Sequence, residues 1–298
     1  MRVEPAVRAR AELGEGPTWD PTGERLIWVD ILGGRVHDFH PGDGRRSVRV
    51  VEQHVGAAKP RAGGGLVLNL RDGVFVLDAP DGSDAPDGMS GHGFVGADLR
   101  PLHHDPVPGR RGNDAAVAPD GSLWVGTMRY DEGEGGGNLV RVAPDGSSRT
   151  VLSGVTVSNG LGWSPEGDRL YYIDTPTRRV DVFTFTPEGE AIDRRPLVET
   201  AESDGFPDGM TVDADGCLWV AFWEGGAVRR YTPDGRLDRT LRMPVSRPTA
   251  CAFGGPGLRD LYVTSARVGL GPNEEPLAGS LLVLPDAGRG LPQPAFAG

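Results

Sequence analysis

The sequence predicts an all-β fold, a six-bladed β-propeller with four-stranded blades. Three observations carry this. One apolar strand pattern recurs six times, turns rich in glycine punctuate the copies, and no stretch sustains a helical period.

The recurring strands are LIWVDI (26–31), LVLNL (66–70), LWVGTM (123–128), LYYIDT (170–175), LWVAFW (218–223) and LYVTSA (261–266). Their starts lie 40, 57, 47, 48 and 43 residues apart, the spacing of propeller blades. Turns such as Pro-Thr-Gly (21–23), Pro-Asp-Gly (119–121), Pro-Glu-Gly (165–167) and Ala-Asp-Gly (214–216) precede them. Proline presets φ and glycine accepts the left-handed conformation, which suits a tight hairpin. A second alternating strand usually follows, as in GRVHDFH (34–40), GVFVLD (73–78), NLVRVA (138–143), RRVDVFTF (178–185) and AVRRYT (227–232). The last repeat runs out of chain after LLVLP (281–285), whereas Val3–Arg10 has β character ahead of the first full blade. This N-terminal segment is expected to supply the missing outer strand and close the ring, removing exposed edges. A solenoid or two packed sandwiches would also repeat strands, but the nearly even period and the count of six favour the propeller.

No break in composition divides the 298 residues, so 1–298 is expected to be one propeller domain. A formal charge of −11 argues against a nucleic-acid groove, which needs a basic footprint. Of 31 basic residues only Lys59 is lysine, so an isolated arginine carries little weight as a functional signal. Cys217 and Cys251 are too few for a disulfide framework and are expected to be small core residues. The opening residues have no apolar run and no segment approaches transmembrane length, so the expectation is a cytoplasmic protein without a membrane partner.

The loops entering innermost propeller strands point toward the central axis. Glu15 lies eight residues before the turn glycine Gly23, Asn113 eight before Gly121, Asn159 eight before Gly167, and Asp208 eight before Gly216. The other two repeats carry Gly56 and, allowing one inserted residue, Thr249. Asn and Asp also suit ordinary turns, but two of only five asparagines fall in this register. Equivalent blades would bring Glu15, Asn113, Asn159 and Asp208 to one point. Two carboxylates and two amide carbonyls are hard oxygen donors suited to Ca²⁺, Mg²⁺ or Mn²⁺, and two negative charges balance a divalent ion. With no His or Cys in the register, a zinc site of the usual kind is not expected. Four donors leave coordination positions open, as catalysis requires.

At these residues the sequence resembles the SMP-30/gluconolactonase/luciferin-regenerating-enzyme family. The matching segments are LGEGPTWD (13–20), RGNDAAVAPDGSLWVGTM (111–128), SNGLGWSPEGDRLYYIDT (158–175) and PDGMTVDADGCLWVAFW (207–223). The resemblance implies a metal held by Glu15, Asn159 and Asp208, with Arg111 and Asn113 as substrate contacts and Asp131 as a further candidate. Gly112 replaces a bulky residue of many relatives, and the segment after Gly-Thr-Met also departs from the pattern. Both departures bear on the substrate. The implied activity is opening of a sugar lactone or related cyclic ester, with one divalent ion polarising the carbonyl and activating water. Calcium is the first expectation, with zinc, manganese, magnesium or iron as the alternatives. Asp208 is the candidate base. A phosphotriesterase of the squid diisopropylfluorophosphatase type, or a non-catalytic metal-binding propeller, are the competing readings.

Overall fold

The computed structural model describes residues 2–78, 92–94, 99–186 and 189–298, and these form six antiparallel blades of four strands in a ring. The innermost strands are Gly14–Asp20, Val55–Pro60, Arg110–Val117, Ser158–Trp163, Phe206–Val212 and Pro248–Gly254. Consecutive inner strands pack side by side, and the sixth packs on the first.

Each inner strand turns into a second strand that carries a leucine at or next to its start. Leu26, Leu66, Leu123, Leu170, Leu218 and Leu261 are all at most 2 % exposed. Second strands lie between neighbouring blades, so both of their faces are covered. That explains the near-continuous apolar runs seen in the sequence. Burying one such leucine contributes about 1.5–3 kcal/mol, and six equivalent copies make each blade depend on its neighbours. Trp28, Trp124 and Trp219, also on second strands, are fully buried between blades. The expected turn chemistry is present in three of the four turns, where Gly121, Gly167 and Gly216 take φ of 78°, 73° and 76° between first and second strands. In the first blade the positive φ falls on Glu24, at 47°, and not on Gly23.

The N-terminal strand closes the ring as expected. Glu4–Val7 pairs antiparallel with Leu281–Leu284 as the outermost strand of the sixth blade. Thr249 seals the same junction nearer the axis, its Oγ1 donating to the Gly14 carbonyl at 2.6 Å. In the first blade a short strand, His92–Phe94, adds in parallel outside Arg46–Val50. His103 and His104 lie on Leu99–His104, the outer strand of the second blade, away from the axis. Cys217 and Cys251 are free and buried. No described helix is long and apolar enough to cross a membrane.

Candidate metal centre and active site

The strand pairing explains why the spacing of eight was readable. In every blade the residue just before the axial position pairs with the end of the second strand: Gly14 with Asp30, Val55 with Leu70, Gly112 with Thr127, Ser158 with Asp174, Pro207 with Phe222 and Pro248 with Ser265. In every blade the pairing register then shifts. A bulge at this point re-aims a side chain out of the sheet. Glu15, Gly56, Asn113, Asn159, Asp208 and Thr249 are therefore structurally equivalent, one per blade.

The glycines that follow two of them have a steric cause. A Cβ on Gly160 would stand 2.6 Å from the Asp208 carbonyl oxygen, and one on Gly209 would stand 2.3 Å from the Ala250 Cβ. Inner strands approach too closely there for any side chain, which accounts for the Asn-Gly and Asp-Gly pairs at 159–160 and 208–209.

Glu15, Asn113, Asn159 and Asp208 are each 5–7 % exposed. Asn113 Nδ2 donates to Asn159 Oδ1 at 3.2 Å and to the Ser158 carbonyl at 3.0 Å. Asn159 Nδ2 donates to Thr175 Oγ1 at 3.0 Å, fixing the amide so that its oxygen faces the axial group. Arg111 Nη1 donates to Asn113 Oδ1 at 2.7 Å and to the Gly112 carbonyl at 3.0 Å. Asn113 thus links the arginine to the donor set, and its oxygen is already engaged by Arg111.

The two carboxylates are under electrostatic pressure. Burial pushes the Glu15 carboxyl from its ordinary 4.5 up to about 8, and the charge of Asp114 adds to the rise. The Gly16 N–H, Arg111 and Lys59 oppose it. Burial likewise raises Asp208 well above the usual range, reinforced by Glu15 and Asp114. Asp208 Oδ1 is buried and has no hydrogen-bond partner. Buried polar atoms are rarely left without a partner, and a divalent cation would satisfy this one while relieving the repulsion between the acids. Among the described residues no three His, Cys, Asp or Glu side chains are grouped for a metal, so an ion here would need amide oxygen as well. The residues present fit a hard divalent ion: two carboxylates and Asn159 as donors, with Asn113 turned toward Arg111.

Asp131 is not brought to this set. It is exposed and held by Arg129, which donates Nε and Nη2 to its two oxygens at 2.7 and 2.6 Å. That pairing holds the Asp131 carboxyl well below the usual carboxylate range.

Sequence reasoning missed two residues that the fold places beside the site. Lys59 is buried, its Nζ donating to Thr18 Oγ1 at 2.7 Å and lying 3.5 Å from the Gly16 carbonyl. Asp114 follows Asn113 and, with Lys59, lines an axial cavity of about 330 Å³ along the inner strands; residues 291–294 also line it, whereas Glu15, Asn113, Asn159 and Asp208 do not. Lys59 counters Asp114 there. The available signal was composition: the one lysine in the chain stands on an innermost strand.

The comparisons with known proteins agree with this architecture. The chain is 35 % identical over 298 residues to a 6-deoxy-6-sulfogluconolactonase of Pseudomonas putida, covering 98 % of this chain and 97 % of that protein. It is 36 % identical over 267 residues to a pentonolactonase of Haloferax volcanii, covering 89 % and 86 %. A crystal structure described as a calcium-binding protein, regucalcin, from Agrobacterium tumefaciens superposes with a TM-score of 0.88 at 27 % identity, covering 98 % and 96 %. The family model for the SMP-30/gluconolactonase/LRE-like region matches residues 13–267, and the chain belongs to that family.

Proposed function

We propose that this protein is a metal-dependent hydrolase that opens lactone rings, with a sugar lactone as substrate. The observation that carries the reading is the partnerless Oδ1 of buried Asp208 beside a second buried carboxylate, Glu15. Relatives named as sugar lactonases support the reaction class. Glu15, Asn159 and Asp208 would hold the ion. When bound, it would supply a Lewis acid that polarises the lactone carbonyl and stabilises the developing oxyanion. Oxygen donors with two charges favour calcium, and the calcium-binding description of the structural relative points the same way.

The remaining steps belong to the chain's own groups. Arg111, steadied by its bond to Asn113, orients the substrate through its free guanidinium donors. Asp208 is the base that takes a proton from the attacking water, through the carboxylate oxygen that it does not give to the ion. Asn113, with its amide fixed by Ser158 and Asn159, holds Arg111 in place as the ring opens.

The test is a pH-stat assay of several aldonolactones and a phosphotriester, on protein stripped by exhaustive chelation and then reloaded with Ca²⁺, Mg²⁺, Mn²⁺, Zn²⁺ or Fe²⁺. Lactone opening is expected only after reloading. Full activity in verified metal-free protein would refute the metal's role, and phosphotriester turnover without lactone turnover would refute the substrate class.

A further inference from the structure

One step outward from the axial residues, the six blades again present equivalent positions. The Leu13, His54, Val157 and Arg247 carbonyls accept from the N–H of Ile31, Arg71, Thr175 and Ala266 at 2.9–3.1 Å. In the other two blades Arg111 pairs with Met128 and Phe206 with Trp223. These six positions ring the approach to the site. They carry two guanidiniums and an imidazole, and none is acidic. A further guanidinium, that of Arg178, lies 4.0 Å from the centre of the Phe206 ring. Arg178 donates to the Gly205 and Glu202 carbonyls at 3.0 and 3.4 Å, so its charge meets no carboxylate there.

The charges around the axis do not cancel. Glu15 and Asp208 balance a divalent ion, and Lys59 offsets Asp114. Arg111 is 6 % exposed and makes no ion pair with any described carboxylate. Arg247 shares Glu224 at 3.1 Å, and its Nε has no partner. Three acids near the rim are already held, Asp72 by Arg71, Asp131 by Arg129 and Asp204 by Arg229, and Glu132 acts on Arg111 without forming an ion pair. A buried guanidinium without a counter-charge is costly, and a substrate that brings one gains what a neutral substrate cannot. His54 Nδ1, 2.8 Å from the Tyr130 hydroxyl, holds the partly exposed Tyr130 ring at the same entrance as an apolar wall.

We infer that the entrance selects lactones carrying a negative substituent, such as a carboxylate, phosphate or sulfonate, over neutral lactones of the same ring. This rests on the lactonase reading above. The test uses the full-length, metal-loaded protein and matched aldonolactones with a terminal hydroxyl, carboxylate or phosphate. The charged members should show kcat/KM at least tenfold above the neutral one in 20 mM KCl, with that ratio shrinking at least threefold in 500 mM KCl. Arg178→Gln should lower the charged-to-neutral ratio at least threefold through KM, and Arg178→Lys should restore it. Melting curves of both variants show that they are folded. Equal turnover of charged and neutral lactones, or a ratio insensitive to salt and to Arg178→Gln, overturns the inference and leaves the lactonase reading intact. Failure to open any lactone overturns both.

Discussion

Replacing Glu15 with glutamine should change stability in opposite directions depending on whether metal is present. In the metal-free chain, burial and Asp114 raise the Glu15 carboxyl from 4.5 to about 8. Between those values the folded state holds a proton that the unfolded state has released, so stability falls as pH rises from about 5 to about 9. A rise of this size corresponds to about 5 kcal/mol at full ionisation. Relaxation and water entry cut it to about 2–4 kcal/mol. Glu15→Gln removes the ionisation, so the metal-free variant should match wild type at pH 5 and exceed it at pH 9. At about 2–4 °C per kcal/mol for a large domain, the gain in Tm at pH 9 should be at least about 4 °C. With saturating metal the order should invert. Wild type gains stability from binding, about 4 kcal/mol at a thousandfold excess over Kd, whereas the glutamine variant has lost a charged donor. The assay is differential scanning calorimetry from pH 5 to 9, with and without metal. Parallel pH profiles for wild-type and variant metal-free proteins would refute the reasoning, because they would show that Glu15 is not a strained buried acid.

Three further predictions follow from the same geometry. If Asp208 is base as well as ligand, Asp208→Asn should remain about 10²–10⁴-fold slow at saturating metal, whereas Glu15→Gln should recover most of its kcat; equal recovery of both would leave Asp208 a ligand only. Lys59→Met should raise metal affinity about tenfold, read by calorimetric titration, because a nearby cation is removed; the metal-free protein should melt lower because Asp114 loses its counter-charge, and unchanged affinity would show that Lys59 does not sense the ion. Asp131→Asn should leave kcat/KM within about twofold, since its carboxylate is held by Arg129 outside the axial set; a loss beyond tenfold in a lactone assay would show that the loop carries it to the substrate.

What could be read from the sequence divides by physical cause. The six strands and the register of eight were legible because every blade repeats one device: a register shift at the axial residue, then a short strand to a hairpin turn. Three of those turns end in a glycine with positive φ. Repetition converts a three-dimensional ring into a fixed linear offset, so Glu15, Asn113, Asn159 and Asp208 could be aligned without coordinates. Lys59 has no such repeat. Its neighbours Thr18 and Gly16 come from an adjoining blade, about forty residues away in the chain, and contacts between blades have no linear signature. Asp131 is a different case. It follows closely after the second strand of the Asn113 blade, and in the structure its exposed carboxylate pairs locally with Arg129. His54 and Arg247 became comparable with Arg111 only once the strand pairing had fixed equivalence one residue pair outward, where the sequence shows no shared residue type. The ring's symmetry therefore identifies the ion's donors more readily than the substrate's contacts. An ion on the axis meets the same position of several blades, whereas an asymmetric substrate must meet different residues on each.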